Sequence, residues 1–458
     1  MKSLDLTPTN ENVYNSLIND SIGRGEFVRQ FVKMLNAIED NCTIALEGNW
    51  GSGKTFFVKQ VKMVLDAHNP NYQPVNGFLT EERRKVIKEK CSEFNAEDGS
   101  TELKPQLCVY YDAWQNDNDE DPILSLVYSI VKEIGSDFSF DKKPTLDICS
   151  ELINLVCDKD ISKLIKVLKG ENALDLIKKT KDEAEKVSEF LQSLLPEVGE
   201  RLIVFVDELD RCKPSYAVKL LERIKHYFLD EEITFVFSVN INELQHTIKK
   251  HYGNDFDATR YLDRFFDLRA TLPKFDLEKY YANIGFELNE KMFNYVCASV
   301  INKYQFEMRN IAKYIRLAKI AVPKSVRKGD MLFVPEKSAL FIYNIYVIPI
   351  MIGLKLTDAK RFENFVNGKD CTPLLDFQKC FSMGCFVDLA FERYEKSSND
   401  KAAAIEKKIK EIYDAIFVEK YEDESYRLIG SMYFDKKTKN SVMCIAGLMS
   451  SSANFDEE

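Results

Sequence analysis

The residues of this chain with the clearest chemical content are Gly48-Asn49-Trp50-Gly51-Ser52-Gly53-Lys54-Thr55, written GNWGSGKT. They fit the pattern G-x-x-x-x-G-K-[ST], in which backbone N–H groups of a glycine-rich turn face phosphate oxygens at the positive end of a helix. In that pattern Lys54 reaches the β and γ phosphates, and the hydroxyl of Thr55 ligates Mg2+. A second candidate arrives much later, where the apolar run Leu202-Ile203-Val204-Phe205-Val206 ends in Asp207-Glu208. A carboxylate at the carboxyl end of a buried strand lies where open α/β sheets bind ligands. Asp207 is therefore expected to hold Mg2+ through its water shell. Two roles fit Glu208: it orients or deprotonates an attacking water, or it stands one contact away and caps the next helix. Asn240, after the apolar run Ile233 to Val239, either senses a γ-phosphate and positions water or is simply a turn residue.

These groups need a sheet to hold them at one edge. Thr43 to Leu46 reads as the strand that delivers the glycine loop, and Phe57, Val61, Val64 and Leu65 keep the spacing of the helix that leaves it. Leu107 to Tyr111 reads as a further strand, followed by Asp112-Ala113-Trp114 and the acidic NDNDEDP, expected as a solvated turn before a helix at 123–134. Five consecutive apolar residues before Asp207 fit a strand covered on both faces, as in a parallel sheet. Pro214 opens a helix with apolar positions at Ala217, Leu220, Leu221 and Ile224, a favourable place for proline. A last strand is expected near Leu268 to Leu272, ended by Pro273. Phe27, Val28, Phe31, Val32, Leu35 and Ile38 mark a helix before the first strand, whereas residues 1–20 are polar and read as a loosely attached arm. EERRKVIKEK reads as a solvated helix face. Residues 136–196 carry a charged helical pattern, an insertion between the two motifs.

Composition narrows the partners. A net charge of −10 argues against broad nucleic-acid binding, which needs a basic surface to release counterions. Eleven cysteines without a C-x-x-C pair, and an N-terminus unlike a signal peptide, point to reduced thiols in a cytoplasm. Cys380 and Cys385 are close but lack a matching second pair, and the four histidines have no zinc spacing. Ala339 to Leu354 is nearly all apolar but shorter than the roughly 20 residues of a spanning helix. With Asn344, Pro349 and Gly353 inside it, the stretch is expected as a buried helix or helix pair rather than a membrane contact. Ile405, Ile409, Ile412 and Ile416 form a narrow stripe too short for a coiled coil, and the tail SSANFDEE is expected to be disordered.

Four stretches together resemble the KAP-type P-loop NTPases, of the additional-strand division that also holds AAA+ and STAND proteins. They are GNWGSGKT, the YYDAWQ segment around Trp114, VDELDRCKPSYAVKLLERIK and YLDRFFDLRATLP. The run Asp210-Arg211-Cys212 with Pro214 and Leu221-Glu222 is the most specific part, and Trp50 gains its significance from the same likeness. The resemblance implies ATP hydrolysis and, for bacterial members, frequent involvement in defence against bacteriophage. It also implies that Arg264, just before the last strand, enters a neighbour's site as an arginine finger, with Arg260 as the rival and a surface ion pair as the plain alternative for each. Arg309, at the start of FEMRNIAKYIRLAKI, corresponds by analogy to an arginine that touches the γ-phosphate from a helical lid. The chain departs from the family pattern in three respects. Glu208 replaces the commoner second aspartate, Asn240 stands where aspartate is usual, and the interval between the motifs is polar where many relatives carry membrane helices.

The expected architecture is α/β: a P-loop NTPase parallel-sheet core at 1–135 and 201–274, a helical insertion at 136–200, and a helical lid and C-terminal domain at 275–458. The expected ligands are ATP and Mg2+, ATP rather than GTP because no N/T-K-x-D guanine motif occurs. The expected partners are further copies of the chain or a protein encoded nearby. A nucleotide-dependent scaffold with little turnover and a small-molecule phosphotransferase are the rival functions.

Overall fold

Side chains that are apolar on both faces leave a strand nowhere to sit but inside a layered sheet, and the apolar runs do assemble that way. In the computed structural model β1 (Cys42–Glu47), β2 (Gln106–Asp112), β3 (Arg201–Asp207), β4 (Ile233–Val239) and β5 (Leu268–Thr271) form one sheet in the order β2-β3-β4-β1-β5. Every pairing is parallel. β4 is the additional strand that separates the loop-bearing β1 from β3. All seven residues of β3 and of β4 are buried. Burial of a side chain such as Leu202 or Phe205 is worth about 1.5–3 kcal/mol each before the entropy of ordering the chain is charged.

The structure describes residues 7–72, 77–94, 102–119, 121–137, 192, 195, 198–228, 230, 232–286, 292–327, 335–377 and 401–449. They divide into two compact units, one running through Tyr280 and the other from Tyr281 onward. Most of the expected insertion, the Cys380–Cys385 pair and the tail SSANFDEE lie outside the described residues.

In the first unit the helices are α1 (Asn10–Asn19), α2 (Gly25–Ala37), α3 (Lys54–His68), α4 (Glu81–Lys90), α5 (Pro122–Asp137), α6 (Pro214–Tyr227), α7 (Ile241–Tyr252) and α8 (Ala258–Leu262). The expectation of a loose arm at 1–20 is corrected by α1. Thr9 caps it by accepting from the Asn12 N–H, and Val13 and Leu17 are buried. Its polar positions mask an apolar face one residue per turn wide, so composition alone reads as unattached. The described residues of the acidic NDNDEDP stretch before Pro122 form an unburied turn ahead of α5, as expected, and it is tied down by its carboxylates. Asp121 accepts from the Ile123 N–H and pairs with Arg223, while Asp117 accepts from the Lys213 N–H, which ties the loop to the start of α6. On α4, whose residue Ile87 is buried, Arg84 donates to the carbonyls of Ala67, Asn69 and Tyr72.

The described part of the second unit is helical apart from a hairpin, β6 (Tyr426–Ile429) with β7 (Met432–Asp435). Its centre is a continuous helical run, Ala339–Thr357, longer than the apolar stretch marked in the sequence. Among the described residues it is the one run long and apolar enough to cross a membrane, and 78% of its apolar window is buried within the fold. Pro349 has no N–H to offer the preceding turn, and a π-helical turn at Tyr343–Val347 accommodates it. The Asn344 side chain donates to the Leu340 carbonyl and Tyr314 donates to that of Pro349, so these two polar groups of the helix are satisfied inside the unit. Ile409, Ile412 and Ile416 of the narrow stripe are also buried there.

Candidate phosphate site at the carboxyl ends of the sheet

Strand register brings the candidate groups level. Asp112 on β2 pairs with Asp207 on β3, Asp207 with Ser238 on β4, and Glu47 on β1 with both Val239 and Thr271. One residue beyond each strand therefore lie the glycine loop, Glu208 and Asn240, all at one edge.

Between β1 and α3 the loop turns back through left-handed backbone at Gly51 (φ 81°) and Gly53 (φ 92°), which an L side chain disfavours. Gly48 is required for space instead: a Cβ there would lie 2.8 Å from Ser52 Oγ and 3.1 Å from Lys54 Cγ. The Lys54 stem crosses Gly48, and its Nζ donates to the carbonyls of Gly48 at 2.8 Å and Asn49 at 3.3 Å. Lys54 is only 9% exposed, and burial lowers its pKa against the pull of Asp210, Asp207 and Glu208. Ser52 Oγ is buried with no hydrogen-bond partner among the described residues. A cradle that a methyl group would fill, a buried ammonium and an unpartnered hydroxyl are what a polyphosphate requires, so the loop fits a nucleotide.

Asp207 is 1% exposed and gathers three donors. Its Oδ2 accepts from Thr55 Oγ1 at 2.6 Å and from the Tyr110 hydroxyl at 2.9 Å, and its Oδ1 accepts from the Glu208 N–H at 3.1 Å. Burial, reinforced by the Asp207 charge, pushes the Tyr110 phenol up, so it stays a donor. The Thr55 hydroxyl, at the start of α3, and the Asp207 carboxylate thus meet although β1, which delivers the loop, and β3 are not neighbours. This oxygen pair suits Mg2+, a hard cation that takes one or two protein oxygens and completes its shell with phosphate and water. Among the described residues no cluster of three or more His, Cys, Asp or Glu could hold a metal by itself.

Glu208 has left-handed backbone (φ 61°) at the start of a short 3-10 turn, Leu209–Arg211. Its Oε2 lies 2.5 Å from Arg211 Nε. Burial first, and Asp207 second, push the carboxyl up to about 7, with Arg211 opposing. Burial also raises Asp112 at the end of β2.

Several contributors escaped the sequence reading. Tyr110 lies two residues before Asp112 on β2, so strand alternation puts both on one face, a signal present in the sequence but not used. Arg24, 2% exposed, donates from Nη1 to the Ser52 carbonyl at 2.8 Å and from Nε and Nη2 to that of Pro273 at 2.9 and 2.6 Å. It braces the glycine loop against the segment after β5, and nothing local to residue 24 signals this. Trp50, Trp114, Asp210 and Arg211 stood out only as a pattern, yet they touch. The Trp50 indole N–H donates to Asp210 Oδ2 at 2.5 Å, and the Arg211 guanidinium lies 5.8 Å from the Trp50 ring and 5.5 Å from the Trp114 ring.

The sequence matches the family model described as the KAP family P-loop domain over residues 24–329, about two thirds of the chain. The chain belongs to the KAP family. A search of curated proteins finds no match. Among solved structures it is similar to the ORC2 protein of Aeropyrum pernix, described in ADPNP–ADP complexes, at 12% identity over 87% of this chain and 94% of that one. The TM-score of that superposition is 0.30, a likeness too loose to speak for chemistry here.

Within this KAP chain the remaining candidates are dispersed. The Asn240 side chain caps α7, accepting from the Glu243 N–H at 3.5 Å, at the same edge as Asp207. Arg260 is exposed on α8. Arg264 lines a cleft with Asn41, Thr43, Lys225 and Asp267, at the amino end of β1. Five steps along the strand separate Thr43 from Gly48, about 16 Å at about 3.3 Å per step, so Arg264 is remote from its own glycine loop. Arg309 is exposed on the helix Met308–Ala321 of the second unit.

Proposed function

We propose that this chain binds ATP with Mg2+ and hydrolyses it slowly, as a switch whose nucleotide state controls its own assembly or a partner. The observation that carries the reading is the contact of Thr55 Oγ1 with Asp207 Oδ2, which joins the glycine loop to β3 at one point. Thr55 and Asp207 would hold Mg2+, which supplies positive charge where phosphate oxygens gain negative charge during transfer. Lys54 and the N–H groups of residues 48–55 bind and orient the β and γ phosphates. Glu208, immediately beyond Asp207, orients water and takes its proton at a carboxylate oxygen. Arg264, or its rival Arg260, serves the site of a second copy.

Phosphate release by wild type, Lys54→Ala and Glu208→Gln tests the chemistry. Lys54→Ala loses nucleotide binding; Glu208→Gln keeps it while turnover falls by about 100-fold or more, the scale of a general base. Equal background rates in all three proteins overturn hydrolysis and leave a nucleotide-dependent scaffold. A phosphorylated small molecule formed from ATP would mark a phosphotransferase instead. Arg264→Ala lowers turnover only in assembled protein; unchanged turnover in an assembled variant refutes the finger.

The setting we propose is a bacterial cytoplasm and defence against bacteriophage, and family membership alone supports it. Phage plating on bacteria expressing wild type or Lys54→Ala, with the neighbouring genes, tests that role. Equal plating on both strains and on empty-vector cells refutes it for the phages used.

A further inference from the structure

The chain has two tryptophans, and their rings lie 5.8 and 5.5 Å from one arginine's guanidinium carbon. Trp50 belongs to the glycine loop, Trp114 follows β2, and Arg211 ends the turn after β3. Three elements separated widely in sequence thus meet at one guanidinium. Neither indole is a core residue: Trp50 is 45% exposed and Trp114 52%. Their ring faces lie within the roughly 6 Å over which a guanidinium is attracted to an aromatic quadrupole. Arg211 also carries the ion pair to Glu208 Oε2 at 2.5 Å, and its N–H donates to the Glu208 carbonyl at 3.1 Å. Asp210 fixes the other end by accepting from the Trp50 indole.

We infer that Arg211 is a positioning residue for Glu208, and that its cation–π contacts with both Trp50 and Trp114 couple the phosphate loop to the direction of that carboxylate. The inference rests on the reading of Glu208 as the group that orients water. Glu208 is on left-handed backbone in a tight turn, so its side chain leaves the sheet edge in a direction the strand does not dictate. Arg211 supplies the direction. Any displacement of Trp50 when phosphate enters the loop shifts one of the two rings over the guanidinium, and Arg211 passes the displacement to Glu208 and to Trp114. Lysine would keep the charge at this position but not the guanidinium's plane or the fork that pairs.

Full-length protein labelled with fluorotryptophan gives two fluorine resonances, assigned with Trp114→Phe. Addition of Mg2+ and a non-hydrolysable ATP analogue shifts both in wild type. In Arg211→Met the Trp50 resonance still shifts and the Trp114 resonance does not. Turnover of Arg211→Met falls by about tenfold to a hundredfold while nucleotide affinity stays within about threefold, the signature of lost positioning rather than lost binding. Arg211→Lys falls between the two and serves as the second variant if Arg211→Met is poorly folded; the wild-type spectrum stands by itself. A Trp114 resonance that ignores nucleotide in wild type, a shift undiminished in the variants, or an unchanged turnover overturns the inference. Failure of wild type to bind the analogue in equilibrium dialysis is a different result: it refutes the nucleotide reading, and the coupling with it.

Discussion

Arg24→Met is the substitution whose cost follows most directly from the structure. Three hydrogen bonds leave with the guanidinium, but they serve two acceptors, the carbonyls of Ser52 and Pro273. Counting acceptors avoids crediting one cation three times. A buried carbonyl stripped of its donor costs about 1–3 kcal/mol, so two cost about 2–6 kcal/mol at most, the Pro273 carbonyl being only half-buried and open to water. Methionine keeps much of the apolar stem, which limits the cavity, and removing a buried cation returns part of its desolvation cost. Both effects place the expected loss near the lower half, about 3 kcal/mol. For a domain of this size 1 kcal/mol moves Tm by about 2–4 °C, so the transition of the first unit should fall by about 6–12 °C. Differential scanning calorimetry measures it, because the two units can melt separately and one overall Tm would mislead. Arg24→Lys, which has no fork to span both carbonyls, should fall between. The glycine loop is also released at Ser52, so the rise in Tm produced by saturating Mg-ATP should shrink in the variant. A variant melting within about 2 °C of wild type would refute the reasoning, since the carbonyls would then find donors without Arg24.

Two further substitutions test packing at the loop and in the second unit. Gly48→Ala places a Cβ against Ser52 Oγ and the Lys54 stem, and overpacking of about 1–3 kcal/mol at that point should weaken ATP by about 5- to 150-fold in equilibrium dialysis, with Tm without nucleotide changed less. Affinity equal to wild type would show that Lys54 yields freely. Gly353→Ala puts a Cβ 2.6 Å from Val300 Cγ1 and 2.9 Å from Tyr304 Cε2, where the central helix meets Met292–Tyr304. A loss of about 1–3 kcal/mol should lower the calorimetric transition of the second unit and leave that of the first in place; an unchanged second transition would contradict the close approach.

How much was legible differed by the range of the signal. Four strands of the sheet announced themselves as short apolar runs, whereas β5, Leu268-Arg269-Ala270-Thr271, is half polar and was marked mainly by Pro273 after it; GNWGSGKT and Asp207 were identifiable because their chemistry is carried by consecutive residues. α1 was misread because it is polar in composition while its few apolar groups are spent on a partner distant in sequence, the face of α3 for Val13 and Leu17; the acidic turn before α5 was read correctly, but not its ties to Lys213 and Arg223. Tyr110 was legible in principle, through the alternation that puts it on the face of Asp112.

By itself the sequence determined a phosphate-binding loop, a carboxylate-ended buried strand and a family, since each is written in local patterns of glycine, apolar residues and charge. Only the tertiary structure decided that Thr55 reaches Asp207 across a sheet in which another strand divides β1 from β3, that Arg24 braces the loop from outside it, and that both tryptophans close on Arg211 beside Glu208. The physical reason is that a hydrogen bond or a cation–π contact depends on separation in space within a few ångströms, and strand order, which sets that separation, is fixed by packing of the whole sheet rather than by any one stretch of chain.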